Sequence, residues 1–285
     1  MKISSCAKWV LTGEHSVIRG GKAIVFPLKR FRNTVEVLPA NSLSVNDNLT
    51  ENSKINELIE RAISFTRMPA QKFINSYTIT SNIPMGAGLG SSAALCANFV
   101  KLCITLGYEE DPISLGRFLE NEFHKNSSGL DISVAIIGVP LVFKNNIVQK
   151  RLQLSDMPRF TLTYCGNKSV TSECVEKVQR LFETDSVLAQ ELDAKMNSSA
   201  ELCQEGLETQ NLQKLTEGID LGAQVFQAWG LYNDSIKETI ADLKLRGALA
   251  SKPIGSGLGG YIVSLWDRLP TIDEKVSIEL TPGDC

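Results

Sequence analysis

The sequence predicts an α+β protein built as two domains, on three observations. Up to about residue 155, short strand-like stretches alternate with helical ones. From about Phe160 long helical patterns dominate, and a glycine-rich loop sits beside a predicted strand in each part. The domains are therefore drawn as 1–155 and 156–285. In the first, Lys8 to Leu11, Ala23 to Phe26 and Thr34 to Val37 are short runs rich in β-branched or aromatic residues and read as strands. Ile55, Leu58, Ile59, Ala62 and Ile63 recur at helical spacing, Tyr77 to Thr80 reads as a strand, and Ser91 to Leu106 as an apolar helix. In the second, the strand Phe160 to Tyr164 precedes helices around Val175 to Phe182, Val187 to Leu207, Leu212 to Trp229 and Ser235 to Leu245. Ala248 to Pro253, a glycine loop and the strand Tyr261 to Trp266 close the chain's pattern.

Composition narrows the function classes. With 285 residues and 43% hydrophobic content the chain can bury a substantial core. A formal charge of −3, with acidic and basic residues intermixed, argues against nucleic acid as a partner and for a small molecule held by local geometry. No stretch has the apolar length of a membrane span, and Met1-Lys2-Ile3-Ser4-Ser5 lacks the hydrophobic segment of a secretory signal, so a cytoplasmic protein is expected. Seven scattered cysteines (Cys6, Cys96, Cys103, Cys165, Cys174, Cys203, Cys285) read as reduced thiols filling core spaces. Two histidines, His15 and His124, are too few for a histidine-rich metal site.

Four segments carry polar or glycine residues that core packing does not require. The first, Lys8 to Val17, is a strand ending in Gly13-Glu14-His15-Ser16, which a surface turn would also explain. The second runs Ile83-Pro84-Met85-Gly86-Ala87-Gly88-Leu89-Gly90-Ser91-Ser92 into a helix. Glycines at alternate positions let successive N–H groups turn toward phosphate oxygens, and the helix start favours the same anion. The pattern is neither a Walker loop nor a dinucleotide fingerprint, and an ordinary turn before a helix is the plainer alternative. The third segment, Glu120 to Asp131, ends in Ser127-Ser128-Gly129-Leu130-Asp131 before the apolar Ile132 to Ile137. Asp131 could cap that helix, and Glu120 and Glu122 read as solvated charge at a helix end. The fourth is Lys252-Pro253-Ile254-Gly255-Ser256-Gly257-Leu258-Gly259-Gly260. Two such loops suit phosphoryl transfer, which needs positioning and charge neutralisation.

Taken in order, these segments resemble the GHMP-superfamily kinases, and among them the mevalonate kinases. Lys8 with Gly13-Glu14-His15 resembles the opening motif, Pro84 to Ala93 matches the phosphate loop at every fixed position, and Gly255 to Gly260 resembles the C-terminal glycine loop. The resemblance implies a GHMP-kinase-like fold, with an N-terminal ribosomal-protein-S5-like α/β domain and a C-terminal helix-rich ferredoxin-like domain. It implies transfer of the γ-phosphate of ATP to mevalonate, in the service of isoprenoid precursor synthesis.

Site residues carry over with the motifs. Asp131 would take the proton of the acceptor hydroxyl, and Lys8 would pair with that carboxylate and favour loss of the proton. Pro84, Gly86, Ala87, Gly88, Leu89, Gly90, Ser91 and Ser92 would hold ATP, and Ser92 with Glu120 would hold Mg²⁺. Glu14, His15, Thr171 and Gly257 would line the substrate pocket, His15 as a hydrogen-bond donor. A homodimer is compatible with the resemblance.

Some positions depart from the family pattern. Cys6-Ala7-Lys8 stands for the usual Pro-Gly-Lys, Lys125 and Ser127 replace common glycine and proline, and Ser256 and Leu258 replace small residues. Phosphomevalonate kinase, or another GHMP small-alcohol kinase, is the alternative enzyme. His15 after Glu14 favours mevalonate kinases over phosphomevalonate kinases, which tend to have tyrosine there. A non-catalytic binding relative would be expected to lose the base or a metal ligand, and Lys8, Ser92, Glu120 and Asp131 are all present.

Overall fold

The computed structural model describes residues 1–39, 49–123, 127–154, 156–271, 273 and 276–284, with the side chains of 49–52 excluded. His124, Lys125, the boundary residue Ser155 and Cys285 lie outside the described residues. Compactness divides the chain into two interleaved units. One comprises Met1–Lys8, Pro27–Ile83 and Gly90–Gly138; the other comprises Trp9–Phe26, Pro84–Leu89 and Val139–Cys285. The boundary drawn near residue 155 falls within the last segment of the second of these units.

In the first unit lie the start of β1 (Lys2–Thr12) and the greater part of β2 (Ala23–Leu38). The sequence suggested two strands where β2 is one. The charged stretch between them continues the strand, with Arg30 and Arg32 exposed on one face and Asn33, Val35 and Val37 buried on the other. Helix α1 (Leu49–Thr66) follows, then β3 (Ser76–Ser81), which pairs antiparallel with β2 from Asn33↔Ser81 to Leu38↔Ser76.

Three helices complete this unit: α2 (Ser91–Thr105), α3 (Pro112–Glu120) and α4 (Leu130–Ile137). Helix α3 has a clear start signal that the apolar periodicity alone missed. Asp111 caps it through Ile113 N at 2.9 Å, with Pro112 at the first helical position. The helices close on the sheet around Leu58, Phe99, Leu115 and Ile132.

In the second unit, β4 (Leu141–Lys144) pairs with the beginning of β2 and with β5 (Ile147–Arg151). A second sheet contains β6 (Arg159–Tyr164), β7 (Ala250–Pro253), β8 (Tyr261–Trp266) and β9 (Ser277–Leu280), in the antiparallel order β7-β8-β6-β9. Four helices accompany it: α5 (Thr171–Thr184), α6 (Ser186–Thr209), α7 (Leu212–Ala228) and α8 (Asp234–Leu245). Their starts follow side-chain caps: Asp185 for α6, Asn211 for α7 and Asn233 for α8 each accept a backbone N–H. The α+β expectation is met, with helices predominant in the second unit. Among the described residues, no helix is long and apolar enough to cross a membrane.

Candidate active site

In the first unit, β1 delivers Lys8 to the N-terminal ends of two helices. Lys8 Nζ lies 2.9 Å from Asp131 Oδ2, with the lysine side chain 7% exposed and the carboxylate 31% exposed. Asp131 is not the cap of α4. That position belongs to Gly129, in the left-handed region at φ 86°, and Asp131 lies inside the first turn. A Cβ on Gly129 would approach Arg117 Cδ to 2.7 Å, so the glycine answers both to backbone conformation and to close packing. The serines before it satisfy the turn: Ser127 Oγ accepts from Gly129 N at 3.1 Å, and Ser128 Oγ from Leu130 N at 3.2 Å.

Gly90, at the start of α2, gives Lys8 its path. A Cβ there would stand 2.8 Å from Lys8 Cγ and 3.0 Å from Cε. The last glycine of the predicted phosphate loop thus makes room for the lysine stem. Its φ of 73° is also one that L side chains rarely adopt.

Glu120 ends α3 and is buried, contrary to the expectation of a solvated charge. Ser127 Oγ donates to its carboxylate. Burial, and secondarily the charge of Asp131, pushes the Glu120 carboxyl up to about 7. Glu122 is half-buried, paired with Arg61 at 3.0 Å and Lys54 at 3.7 Å. Ser92 lies half-buried in the first turn of α2.

In the second unit three loops meet. Gly86 O accepts from Ser169 N at 3.1 Å, and the Lys168 stem lies 3.5 Å from where a Gly86 Cβ would be. A Cβ on Gly255 would come within 3.3 Å of Gly88 Cα, so the two glycine loops abut backbone to backbone. Gly260 N donates to Asn167 O at 2.7 Å.

The predicted substrate residues gather around Ser256. His15 Nε2 lies 2.9 Å from Ser256 O, and because a carbonyl only accepts, the ring nitrogen carries the proton there. Ser256 Oγ lies 2.6 Å from Ser169 Oγ and donates to Thr171 Oγ1 at 3.4 Å, while Ser169 Oγ donates to Gly257 O at 2.6 Å. Ser256, noted in the sequence only as a departure, therefore connects His15, Thr171 and Gly257. Leu258, the other departure, sits at φ 56° and is held by Leu258 N donating to Leu231 O and Asn233 Nδ2 donating to Leu258 O.

His15 packs edge-on against Trp229 and Phe226. Burial pushes its pKa down to about 4, so the ring is neutral at pH 7. With its one N–H given to Ser256 O, the ring offers an acceptor at Nδ1 instead of the expected donor. Glu14 is buried, and its Oε1 accepts from Lys252 Nζ at 2.7 Å. Sequence reading overlooked Lys252. A lysine in a strand of otherwise small and apolar residues was the available signal.

Residues 56–139 match the model of the GHMP kinases N terminal domain. Over that segment the chain is similar to the GHMP kinases. It is 27% identical to the mevalonate kinase of Thermococcus onnurineus, over 92% of this chain and 88% of the relative. Among solved structures, the L. major mevalonate kinase in complex with R-mevalonate superimposes with a TM-score of 0.74 at 17% identity, covering 94% of this chain and 87% of that one. A Streptococcus pneumoniae phosphomevalonate kinase superimposes at 0.75 with 15% identity, covering 94% and 93%.

Proposed function

We propose that this GHMP kinase transfers the γ-phosphoryl group of ATP to the 5-hydroxyl of mevalonate. The observation that carries the reading is the Lys8–Asp131 ion pair, in the same unit as the helix start formed by Gly90, Ser91 and Ser92. Asp131 takes the proton of the acceptor hydroxyl as its oxygen forms the new bond to phosphorus. The bond from phosphorus to the bridging oxygen breaks, and ADP leaves with that electron pair. The Lys8 ammonium stabilises the negative charge developing on the acceptor oxygen. Pro84 to Ser92 receive the phosphates of ATP, while His15, Thr171 and Gly257 hold the acceptor, His15 accepting at Nδ1.

The donor set fits Mg²⁺. A serine hydroxyl and a carboxylate are hard oxygen ligands, and the buried Glu120 carboxyl, raised by desolvation, gains most from a nearby cation. Ser92 and Glu120 would hold the ion, which would neutralise charge on the phosphate oxygens. Functionally the phosphate loop belongs to a 1–155 domain and the second glycine loop to 156–285. The enzyme acts on small molecules in the cytoplasm, with no nucleic-acid or membrane partner, and a homodimer is compatible with it.

Fold likeness does not separate the acceptors, since mevalonate and phosphomevalonate kinases superimpose equally well. Mevalonate is favoured by the curated relatives, named mevalonate kinases, and by His15 following Glu14. The test is ADP release with mevalonate, phosphomevalonate, homoserine and galactose. A kcat/KM for mevalonate about 100-fold or more above the others is expected. An equal or higher value for another acceptor overturns the assignment.

A further inference from the structure

Two consecutive residues of the opening motif, Glu14 and His15, are each tied to the segment that leads into the second glycine loop. Glu14 accepts from Lys252 and His15 donates to Ser256 O, so the turn and the loop are joined at two points. Both points rest on one aromatic ring. Lys252 Nζ sits 4.7 Å above the Phe226 centroid, and the His15 ring meets the same ring edge-on at 6.0 Å. The Lys252 side chain is 0% exposed and Glu14 4%, and a Cβ on Gly222 would come within 3.3 Å of the lysine stem. The fold thus reserves a closely fitted passage for a cation that does not reach the surface.

A buried ion pair is a poor way to gain stability, because desolvating two charges offsets most of their attraction. What it supplies is register, since an ammonium and a carboxylate buried together have one favourable arrangement. We propose that Lys252 is a positioning residue for the acceptor site. Through Glu14 it fixes the Gly13–His15 turn against Ser256, and so sets where His15 Nδ1 and the Ser256–Thr171–Gly257 hydroxyls and carbonyl stand. Glu14 is accordingly a support for the site and does not touch the acceptor. The inference rests on the acceptor-site reading of His15, Thr171 and Gly257 above.

The test compares the parent with Lys252→Met, Lys252→Arg and the double variant Glu14→Gln/Lys252→Met, by thermal melting, by kinetics with mevalonate and ATP, and by ¹⁵N NMR of the histidines. The chain has only two histidines, and a His124→Gln background identifies the His15 signal. Lys252→Met strands a buried carboxylate and should lower Tm by roughly 10 °C or more. The double variant buries no charge and should melt close to the parent. Even so, its KM for mevalonate should rise about tenfold or more while KM for ATP stays within about twofold, and its His15 pKa should move up from the parent value. Lys252→Arg should restore part of the mevalonate KM relative to Lys252→Met.

A double variant with parental mevalonate KM and an unmoved His15 resonance overturns the proposal and leaves the pair purely structural. A parent protein that does not phosphorylate mevalonate sinks the acceptor assignment instead. The NMR comparison still decides the clamp in that case, with an unmoved His15 resonance in the double variant refuting it.

Discussion

Lys8 and Asp131 meet at 2.9 Å although 123 positions separate them in the chain, and Gly90 is what lets the lysine stem reach the carboxylate. A strand, a glycine at a helix start and the first turn of another helix converge on one carboxylate. Their convergence makes the roles of all three open to separate tests.

Asp131→Asn keeps the shape and an oxygen that accepts from Lys8, but it cannot take a proton. We expect kcat to fall by roughly 10² to 10⁴ with Tm shifted by only a few degrees. ADP release at saturating mevalonate and Mg-ATP, alongside a melting curve, checks this; near-parental kcat would remove Asp131 as the base.

Gly90→Ala should act on the same pair indirectly. The added methyl is forced against Lys8 Cγ at 2.8 Å and strains a backbone at φ 73°, so a stability loss of about 1–3 kcal/mol is expected together with a lower kcat. Denaturant unfolding measures the first and turnover the second. A variant as active and stable as the parent would show that the lysine does not need this path.

Ser92→Ala and Glu120→Gln should each raise the Mg²⁺ concentration that gives half-maximal rate, since each removes one hard oxygen donor. Titration of activity with Mg²⁺ at fixed ATP reads this directly. Unchanged Mg²⁺ dependence in both variants would exclude them as ligands.

His15 makes stability depend on pH. Its pKa is about 4 in the folded protein against 6.5 when exposed, so below pH 6.5 the unfolded chain binds a proton that the native state refuses. Stability present above pH 6.5 is therefore lost as pH falls toward 4, by about 3 kcal/mol in total, and the loss levels off below that. Comparing urea unfolding at pH 7.5 and 5 for the parent and His15→Gln isolates the contribution. An equal pH dependence in the two proteins would contradict a neutral, buried His15.

Much of the fold was legible from local pattern. Helices α5 to α8 fall where their periodicity put them, because amphipathic spacing and caps such as Asp185, Asn211 and Asn233 act within one or two turns of chain. The first glycine loop was legible for a similar reason: alternate glycines before a helix are a local backbone requirement. Only the end of helix α3, at Glu120, is read from the sequence although Asp111-Pro112 announces its start, and β2 reads as two strands because its charged middle looks like a gap until its pairing partners are known.

What the amino-acid sequence determined by itself was therefore the order of elements, the glycine loops and which side chains are candidates for the reaction. Tertiary structure decided their electrostatic state. Glu120 reads the same as Glu122 in the chain, yet one is buried and raised to about 7 while the other is half-buried and paired with Arg61 and Lys54. The partner of Glu14, Lys252, stands 238 positions away in the chain. Whether His15 gives or accepts a hydrogen bond depended on the Ser256 carbonyl. Desolvation and pairing depend on which distant groups the fold brings within a few ångströms, and no local pattern carries that information.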